Sequence, residues 1–185
     1  PDPIGGIHWF GVDDTYSTVY NPIYCGSTET PETYAVGNGT IMDFSENAAF
    51  WVFNQVSNLA YTKYNVMSPI IREKQKTLEL GFMEEVKDVD KYAATLYQKN
   101  PEEAIKYITE YSVKTSNNTV KVWKQLYQDL FVMYLDGNVK TKAEPKEGYK
   151  YVVPNLEQPG YNEDWYRTVI EKTGDKFKIV GEPGH

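Results

Sequence analysis

The sequence is poor in the residues that usually form a reactive or metal-binding centre. Its 185 residues include one cysteine, Cys25, and two histidines, His8 and His185. A single cysteine cannot form a disulfide within the chain, and the paired Cys-x-x-Cys spacing of zinc sites is absent. No G-x-S-x-G motif is present either, so the sequence does not indicate a serine hydrolase.

Long hydrophobic runs and an excess of positive charge are also missing. The longest apolar runs, Ala48–Phe53 and Leu130–Leu135, are far shorter than the ~18 residues of a membrane-spanning helix. Acidic residues outnumber basic ones by 26 to 19, which gives a net charge of −7. Phosphate binding needs a basic surface. We therefore predict no membrane span and no nucleic-acid partner.

The chain does contain enough apolar residues, 41%, for one sizeable core. Near the start, Ile7–Phe10 and Tyr16–Tyr20 read as two strands of a hairpin with Asp13 and Asp14 at its tip. An isolated hairpin is marginally stable. Because the chain begins at Pro1 and already reads as folded structure, we expect a fragment whose remaining sheet lies upstream.

From Ser45 onward the hydrophobic period changes from two to 3.6 residues, which predicts helices. Ser45 is the predicted N-cap of the first helix, and Ser68 that of a second helix with Pro69 at its first position. Asn100 begins a third helix, and Ser116–Asn118 are expected to divide it in two. The expected apolar stripe of the second helix consists of Leu78, Phe82, Val86, Val89, Ala93 and Leu96.

After Gly137 proline and glycine become frequent and little core is left. Strand-like runs occur at 149–153 and 177–180, and between them Asn162 can cap a short helix that ends at Gly174. The predicted organisation is therefore a domain over residues 1–137 and an irregular tail over 138–185. The expected fold class is α+β, dominated by helices.

Two groups of polar residues are candidates for binding. Asp13 and Asp14 can stabilise the turn at the hairpin tip, or hold a cation such as a peptide α-ammonium, or bind a metal with help from elsewhere. Asn54, with its polar neighbours Gln55, Ser57 and Asn58, lies on or near the first helix beside its apolar stripe. These side chains can donate to an oxyanion or cross-link the packing.

Cys25 has two readings. A nucleophilic cysteine needs a base that removes its proton. His8 lies one strand away, so a Cys25–His8 pair is conceivable geometrically. The alternative is a buried, unreactive cysteine.

Two longer segments carry a family resemblance. Residues 9–24 read WFGVDDTYSTVYNPIY and residues 44–61 read FSENAAFWVFNQVSNLAY. In this order and at this spacing they resemble the secreted dipeptidase (dipeptidase A-like) family of cysteine N-terminal-nucleophile hydrolases. The resemblance covers about the first 80 residues well and the later helices only loosely.

This resemblance implies an αββα sandwich and the hydrolysis of dipeptides or short peptides. It also implies a nucleophilic cysteine at the mature N-terminus whose own α-amine is the base. The present chain begins with Pro1, and the nitrogen of Cys25 is an amide, so no catalytic residue is carried over. We therefore expect the C-terminal part of such an enzyme, inactive without its missing N-terminal half.

Several expectations accompany this reading. Asp13, Asp14 and Asn54 are the predicted substrate-binding residues, no metal or cofactor is expected, and a homo-oligomer is left open. Export of the related enzymes implies a periplasmic or secreted location. The alternative function is a noncatalytic helical module that binds a protein or carbohydrate partner through exposed aromatic side chains.

Overall fold

A computed structural model describes residues 4–143, 145, 147–179 and 181. Helices dominate, and two small two-stranded sheets accompany them, so the helix-rich α+β class is confirmed. The αββα sandwich stays a prediction. The chain divides into two compact units, Pro1–Phe131 and Val132–His185. Pro1, His185 and Val180, the end of the last predicted strand, lie outside the described residues.

The N-terminal hairpin is present, with its second strand later in the sequence than predicted. Strand β1, Ile7–Phe10, pairs antiparallel with β2, Asn21–Tyr24. Residues 16–20 form no strand because Asp14 organises them into a turn: its carbonyl accepts hydrogen bonds from Ser17 N at 3.1 Å and Thr18 N at 2.9 Å. The β-branched residues of this segment instead pack inward, and Val19 is fully buried.

Helix α1 covers Ala49–Thr62 and begins after its predicted N-cap. Ser45 does not cap it, because its hydroxyl donates to Asn38 Oδ1 at 2.7 Å and accepts from Asn47 N at 3.3 Å. Ala48 occupies the N-cap position without a side-chain hydrogen bond. Five of the six apolar residues predicted to form the stripe of this helix are buried: Ala49, Val52, Phe53, Val56 and Ala60. The sixth, Leu59, is half-buried, and Ser57 is buried beside them.

Helix α2 covers Tyr64–Tyr97 and contains Pro69 within it. The predicted start at Ser68 is therefore wrong. Lys63 has φ −152° and ψ 57°, so the helical conformation is interrupted after α1. Its carbonyl accepts hydrogen bonds from Val66 N and Met67 N. The new helix begins there, one turn earlier than a proline-based signal indicates. Three of the stripe residues expected on this helix, Phe82, Val89 and Ala93, are buried.

Helix α3 covers Pro101–Tyr134 without interruption. Its predicted start is confirmed, since Asn100 Oδ1 accepts from Glu103 N at 3.3 Å. The predicted break at Ser116–Asn118 is wrong. Ser116 is fully buried, and the side chain of Asn117 accepts hydrogen bonds from Thr33 N and Thr33 Oγ1. These tertiary contacts outweigh the weak helix propensity of serine and asparagine.

The core of the first unit joins the helices to the hairpin. Phe53 of α1 stacks on Trp123 of α3 with ring centroids 5.2 Å apart. Tyr24 of β2 is buried with Val89, Ala93 and Ile108. The hairpin thus packs its inner face on the two long helices, which fixes the position of the loop between its strands.

The second unit contains strands β3, Val139–Thr141, and β4, Asn155–Glu157, which pair antiparallel. Residues 149–153 form no strand, and neither do residues 177–179 of the last predicted strand. Phe177 instead ends a 3₁₀ turn over Gly174–Phe177. Helix α4 covers Glu163–Thr173. Asn162 Oδ1 caps it by accepting from Trp165 N at 2.8 Å, and Gly174 ends it with φ +55°, so both predicted helix boundaries are confirmed.

Candidate functional site

The loop between β1 and β2 separates the two adjacent aspartates into different environments. Asp14 is half-buried and its carboxylate is used locally: Oδ1 accepts from Tyr16 N and Oδ2 from Ser17 Oγ, both at 3.1 Å. This is the pattern of an Asx turn. Asp14 therefore stabilises the loop in the way the turn interpretation expects, and its substrate-binding role stays a prediction.

Asp13 points to helix α1 instead. Its backbone lies in the left-handed region, with φ +66°, a conformation that aspartate tolerates better than most residues. Its Oδ1 accepts from Asn54 Nδ2 at 2.6 Å and its Oδ2 from Ser57 Oγ at 2.7 Å. The structure thus brings together Asp13 and Asn54, two of the three predicted binding residues, and adds Ser57 as the second donor.

The helix arranges these donors by its periodicity. Asn54 and Ser57 are three residues apart and face the same side of α1. Asn58, one position further, donates from Nδ2 to Asn54 Oδ1 at 2.8 Å. This bond occupies the acceptor end of the Asn54 amide, so the donor end is turned to Asp13. The spacing of polar residues in α1 was the signal in the sequence that pointed to Ser57.

The charge of Asp13 is held by neutral donors only. Its side chain is exposed, and no Lys, Arg or His nitrogen of the described chain lies within 4.0 Å of its carboxylate. Over those same residues no group of three or more His, Cys, Asp or Glu side chains could hold a metal ion. An oriented, unpaired carboxylate at the surface is suited to binding an organic cation such as an ammonium group.

A shallow depression adjoins this carboxylate. Ser57 borders it, together with Tyr61 at the end of α1 and Tyr64 and Arg72 on α2. Tyr16, from the loop that Asp14 organises, completes the rim. Desolvation, followed by the neighbouring Tyr16 and Asp14, raises the pKa of Tyr64 above its ordinary value. Tyr64 therefore stays uncharged at neutral pH, and the acidic and basic side chains of the lining are Asp14 and Arg72.

The second candidate pair, Cys25 and His8, lies in the strand region of the hairpin. Cys25 follows β2, its thiol is exposed, and its backbone N–H donates to Gly6 O at 2.9 Å. His8 pairs with Ile23 in the strand register. Within the described residues no hydrogen bond joins the Cys25 and His8 side chains, and the expected burial of Cys25 is wrong because it sits just beyond the end of the packed strand.

None of the helices in the described ranges is both long and apolar enough to cross a bilayer. Comparison with curated proteins gives no match for the chain. Comparison with family models does: the model of peptidase family C69, the dipeptidase A family, matches residues 1–77. The matched segment contains the hairpin, Asp13 and all of α1. It supports the resemblance to the dipeptidase family seen in residues 9–24 and 44–61, and residues 1–77 are similar to peptidase family C69.

Proposed function

We propose that this chain forms the substrate-binding wall of an enzyme that hydrolyses dipeptides or short peptides. The single observation that carries this proposal is the Asp13 carboxylate, which is exposed, unpaired and aligned by Asn54 and Ser57. It would bind the α-ammonium group of the substrate. Relation to a peptidase family, through residues 1–77, supports a peptide as the ligand.

Fixing the ammonium group has a consequence for cleavage. A bound amino terminus places the first peptide bond at a set distance from Asp13, so a nucleophile at one position attacks only that bond. Positioning of this kind converts binding energy into rate. Asn54 and Ser57 do not touch the reacting bond in this scheme; they position the carboxylate that does the binding.

The nucleophile is assigned to a segment outside these 185 residues. In the mechanism that the family resemblance implies, a terminal α-amine with a pKa of about 7.7 to 8.0 removes the thiol proton. The nitrogen of Cys25 is an amide whose N–H is bonded to Gly6 O, so it cannot act as that base. We propose that this chain alone does not turn over peptide, that β1 and β2 join a larger sheet of the αββα type, and that the protein is periplasmic or secreted.

The proposal is tested by measuring the binding of two small peptides to the full chain by calorimetry or NMR. Alanyl-alanine should bind about tenfold or more tightly than its N-acetyl derivative, because acetylation removes the charge that Asp13 recognises. Asp13→Asn should remove this preference while keeping the backbone conformation, which asparagine also tolerates. Asp88→Asn, at an exposed position on α2, removes the same charge and should keep the preference.

Two results would contradict the proposal. If Asp13→Asn retains the preference for the free amine, Asp13 is only a structural residue of the loop. If the 185-residue chain hydrolyses alanyl-alanine and Cys25→Ser abolishes this activity, the nucleophile lies within the chain. Asp14→Asn, in the same series, separates its turn role from binding: a loss of stability with an unchanged preference assigns it to the turn.

The alternative, a noncatalytic binding module, is favoured by one feature of the second unit. Tyr161 and Trp165 stack with centroids 4.2 Å apart, and both side chains are exposed. Such a face can stack on a sugar ring. Quenching of tryptophan fluorescence by soluble oligosaccharides, lost in Trp165→Ala, together with no binding of any alanyl-alanine probe, would support this alternative over the peptide site.

A further inference from the structure

Arg72 presents a fixed, unpaired positive charge at the rim of the depression beside Asp13. It is exposed on the first third of α2. Its guanidinium carbon lies 4.5 Å from the centroid of the Tyr16 ring, and its Nη1 donates to Tyr16 O at 3.3 Å. In the part of the chain that the structure describes, no carboxylate lies within 4.0 Å of it.

These two contacts orient the guanidinium but occupy only one of its N–H donors. Arginine has five N–H donors in a planar fork that matches a carboxylate. One donor is committed to Tyr16 O, and the cation–π contact holds the plane over the ring. The remaining donors can accept an anionic ligand with little further loss of side-chain freedom.

The depression connects Arg72 to the ammonium site. Ser57 lies on its border and also donates to Asp13 Oδ2 at 2.7 Å, so Asp13 is bonded to a residue of the lining. The lining itself contains one acidic side chain, Asp14, and one basic side chain, Arg72. The enclosed volume of the depression is about 10 Å³, which is the space of one water-sized group. A bulky side chain would not enter it, whereas an oxygen of a carboxylate would fit.

We propose that Arg72 binds the C-terminal carboxylate of a short peptide whose α-ammonium group is held by Asp13. This inference rests on the proposed function and adds a second recognition point. Opposite charges at Asp13 and Arg72 select peptides with both termini free. Arg72 is thus a specificity-determining residue, and C-terminal amides are poor ligands.

The test uses alanyl-alanine, its C-terminal amide and its N-acetyl derivative as probes of the full chain. The free acid should bind about tenfold or more tightly than the amide, the gain expected for a charge-assisted hydrogen bond. Arg72→Met should bind the acid and the amide equally. Lys76→Met, one turn further along the exposed side of α2, should leave the preference for the acid intact. Circular dichroism checks that each variant is folded.

Arg72→Lys is the second variant, because it keeps the charge but loses the planar fork. It should show a reduced preference for the acid, between that of the unsubstituted chain and that of Arg72→Met. Equal binding of acid and amide by the unsubstituted chain, or an undiminished preference in Arg72→Met, would overturn the inference.

The two proposals fail in different ways. A preference for the free amine that depends on Asp13, without a preference for the free acid, would overturn the role of Arg72 and leave the ammonium site standing. A preference for the acid that depends on Arg72, without discrimination at the amine, would overturn the proposed role of Asp13. Failure of all three peptides to bind would count against both.

Discussion

Ser57 Oγ donates a 2.7 Å hydrogen bond to Asp13 Oδ2 across 44 positions of sequence. The bond ties the loop of the hairpin to the middle of α1. It also makes Asp13 a rigid rather than a freely rotating carboxylate, because Asn54 holds the other oxygen. The candidate binding site therefore combines residues of two elements, the hairpin loop and α1.

The first prediction concerns this bond. Ser57→Ala should lower the free energy of unfolding by about 1 kcal/mol, since the acceptor is ionised but partly solvated. The loss is moderate because Asp13 keeps Asn54 and water as partners. A double-mutant cycle with Asp13→Asn measures the coupling by urea denaturation. A coupling energy indistinguishable from zero would show that the bond does not form in solution.

The second prediction compares two buried serines of α3. Ser112 Oγ accepts from the buried N–H of Tyr24 at 3.1 Å, whereas Ser116 Oγ has no hydrogen-bond partner among the described residues. Ser112→Ala leaves the Tyr24 N–H unpaired and should cost about 1 to 3 kcal/mol. Ser116→Ala removes an unpaired hydroxyl from the core and should be neutral or stabilising.

Ser116→Ala is the matched control for Ser112→Ala, because both substitutions remove one hydroxyl from a fully buried position of the same helix. Both have the same effect on helix propensity. Urea denaturation of the two variants therefore measures the hydrogen bonds of the Ser112 hydroxyl, which accepts from Tyr24 N and Ser27 Oγ and donates to Ile108 O. Equal losses of stability would indicate that the hairpin does not dock on α3 through Tyr24.

The third prediction concerns the aromatic pair in the core. Trp123 is fully buried against Phe53, and its Nε1 has no hydrogen-bond partner in the described part of the chain. Trp123→Ala should cost about 3 to 5 kcal/mol. Trp123→Phe should cost much less, since it keeps an aromatic ring and removes a buried N–H that is unpaired. Thermal unfolding that ranks the two variants in the opposite order would contradict this packing.

The fourth prediction is a loss of stability at alkaline pH. Burial, with the carboxylate of Asp90 2.5 Å from the hydroxyl, raises the pKa of Tyr24 well above its ordinary value. Burial likewise raises the pKa of Tyr34 and of Tyr111. In the unfolded chain these groups lose their protons near pH 10, about the ordinary tyrosine value, while in the folded chain they keep them.

The sign of the effect follows from proton binding. Above about pH 10 the folded chain binds more protons than the unfolded chain, so the free energy of unfolding falls as the pH rises. The stabilisation is fully present below that pH. Tyr24→Phe and Asp90→Asn should each make the alkaline fall less steep, as measured by urea denaturation at several pH values. An unchanged slope in both variants would contradict the role of the Tyr24–Asp90 contact.

Local signals in the sequence predicted the helix boundaries where the capping residue had no other partner. Asn100 and Asn162 cap their helices as expected. Ser45 fails because a tertiary contact with Asn38 occupies its hydroxyl. The helix does not break at Ser116–Asn118 because Ser116 is buried and Asn117 is hydrogen-bonded to Thr33. Helix propensity carries no information on what a helix packs against.

The site was predictable in part. The position at the hairpin tip pointed to Asp13 and Asp14, and helical periodicity pointed to the polar side of α1 on which Asn54 and Ser57 lie. The contact between the loop and α1 joins positions 41 and 44 residues apart, so no local pattern could show it. Nothing in the sequence pointed to Arg72. That no carboxylate of the described residues lies within 4.0 Å of its guanidinium can be seen only in the folded structure.

The hydrogen bond from Tyr24 N to Ser112 Oγ joins residues 88 positions apart, and this separation determines when the N-terminal strands can become stable during synthesis. Helices α1 and α2 contain mainly local contacts and can form early. The hairpin must wait until the ribosome has released residue 112 and its neighbours. Until then the Tyr24 N–H lacks its Ser112 acceptor and can pair with another nascent chain, which favours misassembly in this interval.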